Sequence, residues 1–362
     1  MTLERRFGES PPFSIGVEEE LMLLDAQTFE PVAAVQVLLR DAEGLSLPGR
    51  LKTELHASVV ELNTDVCADV SEAVAALREL RATATRLAEE HGVRLAAAGA
   101  HPFASPEDLP IVPEDRYREM IEQVGWPARR QGVSGLHVHV GVASAEACFH
   151  AFEGVLPWLP VVLALSVNSP YLGGIETGLL SNRAGVLAEL PRSGGPPAFR
   201  SYEEWEGWVE RLVRLGVADD YTRLWWDVRP HPRLGTIEVR MPDQPTALER
   251  TGFFVAVLQA LVAAVSELPP RSFDPLARAD YDENRKAAAR LGLDARLVHP
   301  DGDRSVEARE LADELLELVR PHAAVELLVP DEPEALLQLE VGRAEGLEAV
   351  CADLADRSLA SS

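Results

Sequence analysis

At 362 residues the chain has room for roughly two units of about 150 residues, and 46% hydrophobic with 26% charged residues is an ordinary globular composition. The formal net charge of −25 excludes a nucleic-acid binder, which needs clustered basic charge. The only lysines, Lys52 and Lys286, lie outside any G-x-x-x-x-G-K-[ST] run, and no G-x-G-x-x-G occurs, so neither a P-loop nor a Rossmann site is supported. Cys67, Cys148 and Cys351 are too few and too scattered for a disulfide framework or a cysteine zinc site. No apolar stretch follows the first six residues, and the apolar runs 155–167 and 253–265 fall short of the ~18 residues of a membrane span. The expectation is a soluble, cytoplasmic protein.

In chain order, residues 13–24 (F-S-I-G-V-E-E-E-L-M-L-L) read as an apolar strand carrying an acidic cluster. Residues 52–64 interleave β-branched and polar residues and predict one or two strands. Asp69, with Glu72 three residues on, is a capping pair opening a helix through Val74, Leu77, Leu80, Ala84 and Leu87 to Gly92. A buried strand follows at 93–100, then a Pro-rich stretch at 102–113 and a short helix at 116–124. Residues 134–142 (S-G-L-H-V-H-V-G-V) alternate strictly and form the clearest strand. A helix is expected at 145–167, a long Gly/Ser/Pro-rich loop at 169–197, and a helix at 202–215. Strands at 225–230 and 235–241 flank a turn. The segment 248–268 and the chain from 305 onward read as helical. Strands separated by uneven helices and loops predict a mixed α+β fold with an antiparallel sheet.

Glu18 and Glu20 lie two apart in a strand, so their carboxylates share a face while Glu19 points to the other. Like charges in an apolar strand are costly without a cation between them; a solvent-facing edge strand is the plainer alternative. Glu54 and Glu61 flank L-H-A-S-V-V, a run otherwise fit for burial. His137 and His139 share a strand face, either as a metal arrangement or as satisfied structural histidines. Glu238 and Arg240 also share a face, as an ordinary ion pair or as part of a site. Five carboxylates with histidine, all on strand-like segments, suit Mg²⁺ or Mn²⁺ better than Zn²⁺. Cations in a carboxylate-lined cleft beside an arginine are what phosphoryl transfer from ATP requires.

The runs Gly16-Val17-Glu18-Glu19-Glu20, Glu54…Val60-Glu61-Leu62-Asn63-Thr64, Gly135-Leu136-His137-Val138-His139 and Ile237-Glu238-Val239-Arg240 occur in the order seen in glutamate–cysteine ligases. The chain resembles their bacterial carboxylate–amine ligase branch, glutamate–cysteine ligase type 2, within the glutamine-synthetase-like superfamily. Supporting stretches include Asn168-Ser169-Pro170-Tyr171, Ser181-Asn182-Arg183, Trp226-Asp227-Val228-Arg229-Pro230 and Glu283-Asn284-Arg285. The resemblance implies a curved antiparallel sheet forming an active-site funnel, with helices packed outside. It implies ATP, Mg²⁺ (or Mn²⁺) and a γ-glutamyl phosphate that an amine attacks. By motif, Glu18, Glu20, Glu54, Glu61, His137 and Glu238 resemble the metal ligands, and Arg240 the arginine that contacts the transferred phosphoryl group. His139 takes a nucleotide or substrate role. Arg183 and Arg229 are candidates for gripping a substrate carboxylate, with structural ion pairing as the alternative. Gly173-Gly174-Ile175-Glu176 and Leu179-Leu180 depart from the family's usual residues in the loop expected to shape the amine pocket.

The expectation is therefore a single catalytic domain over 1–362, with its motifs within 13–300 and a helical C-terminal region at 305–358. Its activity would be ATP-dependent γ-glutamyl amide formation from glutamate and cysteine. Rivals are the same chemistry with another amine, a metal-dependent hydrolase built on His137/His139, and a non-catalytic nucleotide-binding regulator. Expected partners are small molecules, with no nucleic acid and no membrane; a homodimer is compatible with this reading.

Overall fold

A computed structural model describes residues 3–359. Its centre is a seven-stranded antiparallel sheet. The strands are β1 (Ile15–Asp25), β2 (Gly49–Thr53), β3 (Val59–Thr64), β4 (Val93–Ala96), β5 (Leu136–Gly141), β6 (Val228–His231) and β7 (Thr236–Val239). They run in the order β6-β7-β5-β1-β3-β2, with β4 replacing β5 beside the far half of β1. The segment expected as one or two strands at 52–64 is two, and Glu54 sits in the break between them.

Residues directly opposite in a ladder share a face, so the register sorts the whole sheet. Glu18 stands opposite both Asn63 and His137, Glu20 opposite Glu61, and His139 and Arg229 both opposite Glu238. One face is thus polar. The other carries Val17, Leu21, Leu62, Leu136, Val138, Val140, Ile237 and Val239, all buried.

Helices cover that apolar face. α1 (Val70–Glu89) begins with a reciprocal cap: the Asp69 carboxylate accepts from the Glu72 N–H at 2.9 Å, and Glu72 accepts from the Ala68 N–H at 2.7 Å. It lays Leu80, Ala84 and Leu87 on Leu21, Val60 and Leu62. Truncating the fully buried Leu80 to Ala would cost about 2–5 kcal/mol. α2 (Ala145–Val155) packs against β6 and β7 and α4 (Leu248–Glu267) against β5, and α3 (Leu159–Ser166) belongs to the same apolar core. The helix expected at 145–167 is broken by a 3₁₀ turn at Leu156–Trp158, where Pro157 and Pro160 remove backbone donors.

Two predictions need correction. Ala145–Ser166 and Leu248–Glu267 are each long and apolar enough to cross a membrane, although the apolar runs looked too short; both are mostly buried inside the structure. The expected loop at 169–197 contains a small hairpin (Tyr171–Leu172 with Ile175–Glu176) and a short helix, Asn182–Leu187. At the far end of β1, α5 (Glu334–Glu345) and α6 (Leu347–Leu359) close over Met22 and Leu24 with Leu339, Val350, Cys351 and Leu354.

Candidate active site

The polar face gathers the charged residues into two adjoining clusters. In the first, ligand atoms of Glu18, His139 and Glu238 lie within 4.8 Å of one another; in the second, those of Glu20, Glu54 and Glu61 do so. His137 stands between them, its Nδ1 3.1 Å from Glu18 Oε2 and its Nε2 3.8 Å from Glu20 Oε1. Residues from five separate segments spanning positions 18 to 240 thus meet on one surface. His139, expected in a nucleotide or substrate role, is itself a member of the first trio, its Nε2 3.6 Å from Glu18 Oε1. Its Nδ1 pairs with Thr236 Oγ1 at 3.0 Å, while its buried Nε2 has no hydrogen-bond partner among the described residues.

Arg183 and Arg229, the candidates for gripping a substrate carboxylate, both spend their donors inside the protein. Arg229 forks onto Glu238 through Nε at 2.5 Å and Nη2 at 3.2 Å, and its Nη1 donates to the carbonyls of Thr222 and Leu224. Arg183 donates to the carbonyls of Arg240 and Met241. Gly135 is what lets it lie there, because a Cβ at Gly135 would fall 2.0 Å from Arg183 Nη2. The same Gly135 presents its N–H to Glu20 Oε2 at 2.6 Å. Arg240 Nη1 contacts Glu238 Oε1 at 2.6 Å, and the Arg240 side chain keeps 18% of its surface exposed.

Sequence reasoning missed four contributors. Asn63 Nδ2 donates to Glu18 Oε1 at 2.8 Å, and Lys52 Nζ to Glu61 Oε1 at 3.3 Å. Thr236 orients His139, and the His231 ring packs edge-on to His139 with centroids 5.3 Å apart. Period-two alternation from Glu61 and Glu238 would have found Asn63 and Thr236. Finding Lys52 and His231 requires the register between strands.

Electrostatics separates the clusters. Burial opposes ionisation of Glu18, but its hydrogen bond to His137 and the His139 ring 3.6 Å away hold its carboxyl well below the usual range. Burial likewise opposes ionisation of Glu238, and the Arg229 and Arg240 guanidinium groups overcome it. In the second cluster burial dominates. Glu20 is pushed up to about 7, against the pull of Arg183, and Glu54 to about 8 by burial and the charges of Glu20 and Glu61. Glu61 is raised by burial and by Glu18, although Lys52 pulls the other way. Burial and Arg240 lower His137 to about 4, leaving its imidazole neutral and able to ligate.

Five carboxylates, neutral imidazole and a buried ring nitrogen without a partner make a donor set that fits a divalent hard cation. Beside the first cluster a cleft of about 320 Å³ opens, lined in part by Glu18, His139 and Thr236. Arg6, Arg50, Lys52 and Arg233 line it together with Glu9 and Asp65, so basic side chains slightly outnumber acidic ones there in a strongly acidic protein.

A family model described as glutamate-cysteine ligase family 2 matches residues 14–328. Two proteins of Rubrobacter xylanophilus carrying provisional glutamate–cysteine ligase names are similar to the chain. One is 45% identical over 337 residues, spanning 93% of this chain and 91% of that protein. The other is 41% identical over 324 residues, spanning 89% and 85%. The fold is similar to that of a glutamate–cysteine ligase from Francisella tularensis solved with AMP, at TM-score 0.72, 13% identity and coverage of 98% and 90%. It is also similar to a bifunctional glutathione synthetase from Pasteurella multocida, at TM-score 0.68 and 15% identity, covering 96% of this chain and 52% of that one.

Proposed function

The chain belongs to glutamate–cysteine ligase family 2, and on that premise we propose that it is an ATP-dependent carboxylate–amine ligase. In this reading a γ-carboxylate oxygen of glutamate attacks the γ-phosphorus of ATP and ADP leaves. The amine, cysteine by preference, then attacks the acyl phosphate carbon, phosphate leaves, and the amine gives up its proton as the amide forms. The observation that carries the reading is the paired acidic clusters on one sheet face with the partly exposed Arg240 guanidinium beside both.

Glu18, Glu20, Glu54, Glu61, His137 and Glu238 would hold Mg²⁺ or Mn²⁺, and His139 faces the same space. A divalent cation bound there neutralises phosphoryl charge and polarises the phosphorus–oxygen bonds. Arg240 meets the charge that develops on the transferred group, with its planar fork aimed by the Glu238 contact. Arg229 fixes Glu238 and Arg183 holds the Arg240 backbone, so both act by positioning. The cleft with Arg6, Arg50, Lys52 and Arg233 suits the triphosphate.

The test is a panel of amines assayed for ADP release in the presence of ATP, glutamate and Mg²⁺. ADP should form only with glutamate and an amine together, and fastest with cysteine. A faster amine would retain the chemistry and replace the substrate. ADP release that ignores glutamate, or none with any amine, would overturn the ligase reading.

A further inference from the structure

Between Glu18 and Glu20, the side chain of Glu19 points the opposite way, into the core, where it is fully buried. Arg81 of α1 binds it with both ends of its fork, Nε at 2.7 Å and Nη2 at 2.5 Å. Thr251 Oγ1 of α4 donates to it at 2.7 Å and Gln244 Nε2 at 2.9 Å. Gln244 Oε1 then accepts the backbone N–H of Glu20 at 3.1 Å. One amide side chain therefore joins the buried carboxylate to the backbone of a site residue.

The network continues into the C-terminal helices, beyond residue 328 where the family match ends. Arg81 Nη1 donates to the carbonyls of Thr246 and Ser358, at 2.8 and 3.2 Å. The Glu334 carboxylate of α5 accepts the N–H groups of Thr246 and Ala247, at 2.9 and 3.2 Å. Gln338 holds Asn168, which in turn holds the Gln244 carbonyl at 2.8 Å.

A buried ion pair is a poor way to gain stability, since a well-packed apolar pair of the same volume does as well or better. What it does supply here is register. β1 carries three consecutive glutamates, and a slip of one residue would send Glu18 and Glu20 into the core and Glu19 into the site. A core that holds one fixed guanidinium accepts one carboxylate at one position. We infer that Glu19, Arg81 and Gln244 are positioning residues that set the placement of Glu18 and Glu20, and that α5 and α6 belong to this scaffold. The kinetic part of the inference rests on the ligase reading.

Gln244→Met removes the bridge and keeps the length of the side chain. Its melting temperature should stay within a few degrees of wild type. Per folded molecule, kcat for ADP formation should fall about tenfold or more while KM for ATP moves less than about threefold. Binding of Mn²⁺ alone, followed by electron paramagnetic resonance, should weaken about tenfold. Glu19→Leu combined with Arg81→Met is the second variant, an apolar replacement that should fold and show the same two losses. Wild-type kcat and Mn²⁺ affinity per folded molecule in either folded variant would overturn the inference, as would a loss of stability alone. If wild-type protein forms no ADP with any amine, the ligase reading falls, and the Mn²⁺ comparison still decides the network.

Discussion

In the Glu18–His139–Glu238 cluster, Arg229, Arg240 and two imidazoles meet the negative charge, whereas Glu20, Glu54 and Glu61 have Lys52 on one member and the field of Arg183. The two clusters adjoin on the same sheet and draw on the same residue types. One is neutralised by the fold itself, and its glutamates stay ionised. The other is left short of positive charge, and its carboxyls are pushed toward neutrality. Half of the site is thus charge-balanced by the fold, and the other half keeps an excess of carboxyls that a cation would meet under the proposed function.

The largest break in this comparison comes from Glu238→Gln. It strands the buried Arg229 guanidinium and the partly exposed one of Arg240 without their counter-charge and should cost about 3–5 kcal/mol in a urea melt. Glu54→Gln should do the reverse to the metal-free protein, leaving stability equal or slightly higher while weakening Mn²⁺ binding. A destabilised Glu54→Gln would show that the second cluster is not charge-strained.

Arg240→Ala should come next in size. Loss of one preorganised charged donor lowers kcat about a hundredfold, near 3 kcal/mol, with little change in KM for ATP. Arg240→Lys should restore little of it, because a point charge does not reproduce the planar fork. Near-normal kcat per folded molecule would remove Arg240 from the reaction.

The smallest effect is a pH slope. Glu20 and Glu54, raised to about 7 and about 8, give stability that is full below the ordinary carboxyl value near 4.5 and is lost as pH rises through those values. Glu18 and Glu238, held low, act oppositely: their contribution is present above 4.5 and is lost on acidification through their lowered values. Buried His56, His101, His137 and His231, lowered to about 4, make stability rise with pH up to about 6.5, so the carboxyl effect is read above that value. Metal-free protein should melt progressively lower between about pH 6.5 and 8, and Mg²⁺ should flatten that slope. A slope that persists in Glu54→Gln combined with Glu20→Gln would assign it to other groups.

Much of this was legible without a structure. Alternation placed Glu18 and Glu20 on one face and Glu19 on the other, and Asp69 with Glu72 marked the start of α1, because both are local rules of backbone geometry. The ordered short motifs pointed to the family, and the acidic, histidine-containing strands to a cation site. Less legible was the loop region after Ser169, where Gly and Pro signals masked a short hairpin and a helix. The helix expected at 202–215 ends at Arg214, and Leu215 beyond it is exposed, where the partner surface stops.

What the sequence by itself determined were the elements, their polar and apolar faces, and the inventory of charges, since each depends on neighbours a few residues away. Only tertiary structure decided which charges meet. Cross-strand register put Glu238 opposite both Arg229 and His139, and so turned a candidate carboxylate grip into a brace for a site carboxylate. Packing of α1 against β1 gave Glu19 its arginine 62 positions away. A pairing of that kind is a property of the distance between two folded surfaces, and its energy depends on the burial they create together.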